Sequence, residues 1–242
     1  MESNKGTSSN ELVVVLINEM IRKVDYNQVP SVESDRIAFL HCMVAHALEC
    51  AMSSISNYKN KNYLAALIMA RTGLEQAIFA QYLALDPNGL KSARHKAQNS
   101  YLDRLKKWEA HHHVTSEHKA GISFLDEPAH KHRALTITDV INAFKEREEL
   151  HNIYSYLSTF SHISSTILGI YTCDSKGSEN TTELLFDSQI QDAERSQNAA
   201  ALASSLAIGA LSFSASYLFS ATELEVNVHS LGFQTLLHRR PV

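Results

Sequence analysis

Glycine and proline are scarce in this chain, whose 242 residues include eight Gly and four Pro. Three of the prolines, Pro30, Pro87 and Pro128, lie between helix-like runs, where proline commonly marks the end of a helix. The alternation of apolar and polar residues that is typical of half-buried strands is hard to find anywhere. We therefore predict an all-α protein, and a hydrophobic content of 44% is enough for a sizeable core.

The few cysteines exclude a disulfide framework and a structural zinc site, because Cys42, Cys50 and Cys173 are too far apart in sequence. We interpret them as reduced thiols of a cytoplasmic protein. The N-terminus is a poor match to a signal peptide, since its short apolar run is followed at once by Glu19. The net charge of −4 does not indicate a nucleic-acid-binding protein, although residues 91–107 are the best candidate for a local basic patch.

Motifs that would identify common enzyme classes are also absent. The chain has no Walker loop, no dinucleotide-binding glycine motif, no nucleophile elbow and no Cys-x-x-Cys. Basic and aromatic residues are not interleaved in the way that single-stranded nucleic-acid platforms require. We assign no cofactor and no metal.

Apolar residues at helical spacing predict a single-domain bundle of about six helices. The predicted helical regions are 10–25, 34–58, 63–85, 90–110, 136–171 and 188–222, followed by an amphipathic tail. Thr136 or Thr138 is the expected cap of the fifth region, which the pattern does not resolve into one helix or two. We expect residues 1–10 to be disordered, 11–242 to form the bundle, 111–132 to be a His-rich connection and 172–187 to be a polar loop.

Two or three of these helices are largely uncharged, and we predict that they form the centre of the bundle. They are 63–85, whose only formal charges are Arg71 and Glu75, then 153–171, which has none, and the uncharged run 196–222. The last run is rich in Ala and Ser, which favours close helix packing over a membrane span. Three uncharged faces exceed what a small bundle needs, so we expect a homodimer.

The candidate site combines Arg71 and Glu75 with Tyr154, Ser158 and His162. The last three are four residues apart, so they would share one face of a continuous helix. Charges inside an apolar helix are costly unless they are paired and hydrogen-bonded, so these two charges need polar partners from another helix. One interpretation is a buried structural network. The other is a small catalytic site in which His162 acts as acid or base and Arg71 binds an anion.

A second constellation is the cluster of histidines and glutamates in the predicted connection. Its members are His111, His112, His113, His118, His130 and His132, with Glu109, Glu117 and Glu127 between them. Imidazoles and carboxylates are transition-metal ligands, and three Glu–His pairs have the i,i+3 spacing of di-iron bundles. Two of those pairs lie in or beside a loop, so a solvated, pH-sensitive loop is the alternative to a metal-binding bundle.

Two segments carry a resemblance to a known family. "ARTGLEQAIFAQYL" (70–83) and "YSYLSTFSH" (154–162) form an Arg-x3-Glu helix and a Tyr-x3-Ser-x3-His helix. This combination resembles a family of uncharacterised bacterial all-helical proteins, a domain of unknown function, over roughly 34–85 and 153–222. The resemblance implies an all-helical fold and a site at these residues. The chain departs from the family at Ile163, where members usually have proline.

That family is distantly similar to HEPN bundles, many of which are ribonucleases of toxin–antitoxin and phage-defence systems. HEPN nucleases use an arginine, a polar residue, three to five further residues and a histidine. The segments 36–41 and 104–111 fit this spacing, but Ile37 and Leu105 occupy the polar position. Arg147 and His151 lie one residue too close.

From these observations we expect an accessory or interaction protein, in a phage-defence or toxin–antitoxin context. Its partners would be a second copy, another protein or RNA. The alternatives are a metal-independent ribonuclease, which is the favoured activity if the protein is an enzyme, and a metal-binding bundle.

Overall fold

The computed structural model describes residues 8–22, 24, 31, 34–110, 115–125, 135–161, 170, 172–174, 182–184, 190 and 193–214. Its helices are α1 (Ser9–Arg22), α2 (Ser34–Lys59), α3 (Tyr63–Leu85), α4 (Gly89–Glu109), α5 (Ser116–Leu125), α6 (Ile137–Ile141), α7 (Arg147–Ser158) and α8 (Glu194–Ser214). Two short strands, β1 (Thr172–Asp174) and β2 (Thr182–Leu184), pair antiparallel. The fold is an all-α bundle, as predicted. Within the described ranges, six helices have twelve residues or more.

Helix α3 is the central helix, because α2 and α8 both pack along it and also pack against each other. The largest fully buried side chains of these helices include Leu40, Val44, Leu67, Leu74, Ile78, Leu83 and Leu211. Burying each such side chain is worth about 1.5–3 kcal/mol. The prediction for α3 is therefore confirmed, and so is that for the uncharged run of α8.

The prediction that 153–171 forms the third central element is wrong for the described residues 153–161. Helix α2 takes that place, with nine buried residues, whereas α7 buries only Leu150 and Leu157 and lies beside α3. The first turn of α7 carries Glu148 and Glu149, both exposed, which keeps this end of the helix at the surface. The absence of charge over one segment was a weaker guide to depth than the apolar periodicity of α2.

Small residues let α2, α3 and α8 approach closely. A Cβ at Gly73 would lie 3.1 Å from both the Ala47 carbonyl oxygen and the Cys50 Cβ. Across α3 and α8, the buried Gln81 donates from Nε2 to the Leu206 carbonyl oxygen at 2.6 Å. The uncharged faces of these helices are thus covered within the chain, and they no longer supply an argument for a homodimer.

Helix ends follow from local hydrogen bonds. Helix α1 begins at Ser9 because the Ser8 hydroxyl accepts the Glu11 N–H at 3.2 Å, so the prediction of disorder through residue 10 is wrong for residues 8–10. Thr136 caps α6 in a capping box with Asp139, as expected for one of the two candidate threonines.

The region 136–171 is not one helix, because α6 ends at Ile141 and α7 begins at Arg147. Between them the Ala143 and Phe144 N–H groups donate to carbonyls three residues back, and Phe144 turns into the core with Ile141.

Three further boundaries differ from prediction. Helix α5 lies inside the expected His-rich connection, and the β1–β2 pair lies inside the expected polar loop. Helix α8 begins at Glu194, six residues later than the predicted 188. Its predicted end, at residue 222, falls outside the described residues.

Among the described helices, α2 alone is long and apolar enough to meet a length-and-hydropathy criterion for a membrane span. This is weak evidence, since the core helices of soluble proteins meet the same criterion.

Candidate functional site

Arg71 of α3 reaches across to two hydroxyl groups of α7. Its Nε donates to Ser158 Oγ at 3.1 Å, and its Nη2 donates to the Tyr154 hydroxyl at 2.8 Å. The guanidinium carbon also lies 5.2 Å from the centroid of the Tyr154 ring, which places the cation over the aromatic face. The polar partners that Arg71 requires are thus supplied by the helix on which the sequence placed them.

Glu75 completes a group that we call the Arg71 cluster: Arg71, Glu75, Tyr154 and Ser158. The Glu75 Oε2 lies 3.8 Å from Arg71 Nη2, one helical turn away on α3. The Tyr154 hydroxyl accepts from Arg71 and donates to Glu75 Oε2 at 3.4 Å, so it bridges the two charges.

The Arg71 cluster is only partly buried, whereas the sequence predicted a buried network. The Arg71 and Glu75 side chains are 18% and 25% exposed. The difference follows from the position of α7, which covers α3 from one side rather than lying in the core. Each charge-assisted bond is consequently weaker than it would be in the interior, because water screens and competes for the charges.

Helix α4 supplies a cation that was not predicted from the sequence. Lys96 Nζ lies 3.3 Å from the centroid of the Phe79 ring. Burial lowers the pKa of the Lys96 amine below its ordinary value, and the Glu75 carboxylate raises it by a smaller amount. Phe79 and Glu75 are four residues apart and lie on one face of α3. This spacing was the sequence signal for a cation beside these two side chains.

His162, the fifth predicted member, lies outside the described residues. Helix α7 ends at Ser158, and the next N–H groups bond to carbonyls three residues back: Thr159 to Tyr156 at 3.2 Å and Ser161 to Ser158 at 3.2 Å. Tyr154 and Ser158 therefore share one helix face as predicted, but α7 ends before residue 159, and residues 162–169 lie outside the described range.

The arginines of the two HEPN-like spacings have other roles in the described structure. Arg36 Nη2 donates to the carbonyl oxygens of Leu83 at 2.9 Å and Ala84 at 2.6 Å, so it satisfies the C-terminal end of α3. Arg104 is exposed on α4, where its Nε donates to a carbonyl of the same helix. Its sequence partner, His111, falls in the undescribed range 111–114.

The predicted metal cluster falls largely outside the described residues. The members that lie outside are His111, His112, His113, His130 and His132, together with Glu127. Among the described residues, no group of three or more His, Cys, Asp or Glu side chains is arranged to hold a metal ion.

A scan against protein-family models and searches of curated proteins and of solved structures found no match to this chain. The resemblance to the uncharacterised family and to HEPN bundles stays a prediction that rests on the two sequence segments alone.

In the Arg71 cluster, both the charge and two hydrogen-bond donors of Arg71 are matched by partners within the chain. Two donors of Arg71 are committed to neutral hydroxyls, and Glu75 offsets its charge. Hydrogen bonds to a charged group contribute about 1.5–3 kcal/mol when buried, and less here because of the exposure. The cluster therefore joins α7 to α3 with an energy comparable to one buried apolar side chain.

Proposed function

We propose that this chain is a helical interaction protein without catalytic activity of its own, in which the Arg71 cluster is a structural contact that holds α7 against α3. The observation that carries the proposal is the commitment of Arg71 Nε and Nη2 to Ser158 and Tyr154. A guanidinium that recognises an anion presents these donors to its ligand. Here they are used inside the chain.

The packing of α7 supports the same proposal. Leu150 and Leu157 are the buried residues of this helix, and Ile153 and Tyr156 pack against the core while partly exposed, so its apolar contact is smaller than that of α2 or α3. A polar contact at the end of the helix then fixes its orientation, which is the best-attested use of partly buried charges. The resemblance to defence-associated families makes a phage-defence or toxin–antitoxin setting the context that we propose.

A metal-independent ribonuclease is the second candidate, because the Arg71 cluster remains open to water. Arg71 at 18% exposure and Lys96 on the neighbouring helix would offer two cations to a phosphate backbone. In this mechanism His162 would act as the general acid or base.

One comparison separates the two candidates. Wild type, Arg71→Met and His162→Ala are assayed for cleavage of a structured RNA and for the free energy of unfolding. Arg22→Met is the matched control, because Arg22 is exposed on α1 and its Nε donates to Asn18 of the same helix. The structural proposal expects no cleavage by wild type and a loss of stability in Arg71→Met. It is refuted if wild type cleaves RNA and His162→Ala abolishes cleavage at unchanged stability.

The partner that we propose first is a second copy of the chain. Leu12 and Leu16 lie one turn apart on α1 and are 51% and 43% exposed. Light scattering is expected to give the mass of a dimer for wild type and of a monomer for Leu12→Glu/Leu16→Glu. A strictly monomeric wild type would remove this part of the proposal and leave the role of the Arg71 cluster untouched.

A further inference from the structure

A cleft lies between α7 and α8, away from the Arg71 cluster. Its volume is about 400 Å³. The described residues that line it are Asn152, Ile153, Tyr156, Leu157, Arg195, Asn198 and Ala199. This volume falls within the range of about 300–1,000 Å³ that small-molecule sites occupy. We call it the α7–α8 cleft.

The two faces of α7 are distinct. Tyr154 and Ser158 are four residues apart and turn toward Arg71, whereas Ile153, Tyr156 and Leu157 line the cleft. On a helix, residues 153, 156 and 157 are at i, i+3 and i+4, so they form one continuous face. The cleft and the Arg71 cluster are therefore separate features that share a helix.

The floor of the cleft is apolar and its rim is polar. Leu157 is fully buried and Ala199 is 1% exposed, so the base of the cleft is aliphatic. Asn152, Arg195 and Asn198 are exposed at the rim. An apolar base with a few polar groups is the usual composition of a small-molecule site, since apolar contact supplies affinity and polar groups fix orientation.

The charge at the rim is positive. Arg195 is the one charged side chain among the described lining residues, and its guanidinium carbon lies 4.4 Å from the centroid of the Tyr156 ring. Contact with an aromatic face restrains a guanidinium in position before any ligand arrives. Arg195 also lies in the first turn of α8, where the helix dipole adds positive potential. Glu194 opposes this potential in part, but it is not among the lining residues.

A second polar group at the rim is oriented by α1. The Asn198 Oδ1 accepts a hydrogen bond from Asn10 Nδ2 at 2.6 Å. In this arrangement the Asn198 Oδ1 faces α1, and its Nδ2 is the end that can donate to a ligand. Arg195 and Asn198 are three residues apart and therefore neighbours on one helix face.

We propose that the α7–α8 cleft binds a small carboxylic acid with an apolar body. The carboxylate is bound by Arg195 and Asn198, and the apolar body lies on Ile153, Leu157 and Ala199. The inference goes beyond the proposed function, because it depends on neither the Arg71 cluster nor an interaction partner.

The test is isothermal titration of full-length protein with sodium octanoate at millimolar concentrations, beside octanamide as the uncharged analogue. Octanoate is expected to bind with one site per chain. Arg195→Ala is expected to weaken octanoate binding about tenfold or more, since a charge-assisted hydrogen bond is lost. Octanamide should bind wild type as weakly as octanoate binds Arg195→Ala.

Two further variants make the outcome decisive. Arg195→Lys keeps the charge and should recover part of the affinity, while Arg104→Ala removes an exposed arginine from α4 and should change nothing. Circular dichroism confirms that each variant is folded, which is expected because Arg195 is exposed. The proposal is overturned if wild type does not bind octanoate, or if wild type and Arg195→Ala bind it equally.

Discussion

Replacing Tyr154 with phenylalanine removes one hydroxyl from the Arg71 cluster and leaves the aromatic ring in place. The hydroxyl accepts from Arg71 at 2.8 Å, which is good geometry, and donates to Glu75 at 3.4 Å, which is marginal. A hydrogen bond to a charged group contributes about 1.5–3 kcal/mol. Because the Arg71 and Glu75 side chains are 18% and 25% exposed, we expect a value at or just below the lower end of that range, a loss of about 1–1.5 kcal/mol in the free energy of unfolding.

The assay is urea unfolding followed by circular dichroism, arranged as a double-mutant cycle with Arg71→Met. If the lost energy belongs to the Arg71–Tyr154 bond, the two substitutions should be coupled by about 1 kcal/mol. Tyr101→Phe is the matched control, because Tyr101 is 48% exposed on α4 and its substitution should change stability by less than about 0.5 kcal/mol.

Either of two results would refute this reasoning. A coupling energy below about 0.3 kcal/mol would mean that the two side chains contribute independently. A Tyr154→Phe variant as stable as wild type would mean that water replaces the hydroxyl at no cost. In both cases the Arg71–Tyr154 bond would lose its role in holding α7, and the only remaining hydrogen bond from Arg71 to α7 among the described residues would be the one to Ser158.

Three further predictions concern the helices that surround the Arg71 cluster. In thermal unfolding, Gly89→Ala should destabilise the protein more than Gly73→Ala. A Cβ at Gly89 would lie 2.6–2.8 Å from backbone atoms, whereas the closest contacts of a Cβ at Gly73 would be 3.1 Å. Equal effects of the two substitutions would contradict this prediction. Arg36→Met should cost about 1–3 kcal/mol in urea unfolding, since it leaves two carbonyls at the end of α3 without their donor, and Arg104→Met should cost less than about 0.5 kcal/mol. Burial raises the pKa of the Cys50 thiol, and the neighbouring Glu49 raises it by a smaller amount. The neutral thiol therefore stabilises the fold below the ordinary thiol pKa, and this contribution to the free energy of unfolding is lost as the pH rises through the raised pKa. Stability measured against pH should therefore fall more steeply in wild type than in Cys50→Ala above the ordinary thiol pKa, and parallel curves would contradict the prediction.

The sequence predicted α2 and α3 almost to the residue. Helix α2 was expected over 34–58 and spans Ser34–Lys59, and α3 was expected over 63–85 and spans Tyr63–Leu85. Helix α2 has sustained apolar periodicity, whereas α3 is apolar on nearly all faces, and both have polar turn residues at their ends. The contact of Arg71 with α7 was also predictable, because two charges on an otherwise apolar helix must find polar partners.

Tertiary features were less accessible. The place of Lys96 beside Phe79 depends on how α4 packs against α3, and a charge-rich amphipathic helix does not reveal which of its cations will be covered. The α7–α8 cleft likewise depends on the spacing of two helices far apart in sequence, so neither Arg195 nor Tyr156 could be assigned to it. In both cases the aromatic partner was visible in the sequence, but the pairing was not.

The end of α7 shows most clearly where periodicity stops being informative. Spacing predicts which residues share a face if a helix continues, but it does not predict that the helix continues. The Thr159 hydroxyl donates to the Tyr156 carbonyl at 2.7 Å and the Ser161 hydroxyl to the Ser158 carbonyl at 3.2 Å, so side chains occupy the carbonyls that end α7. Backbone bonds to the third residue back turn the chain by about 120° per residue instead of about 100°, which rotates the face by about 60° over residues 159–161. The two charges of α3 therefore predicted the contact with α7 better than the four-residue spacing of Tyr154, Ser158 and His162 did. Arg71 required polar partners wherever α7 ended, and the last turn of that helix supplies them.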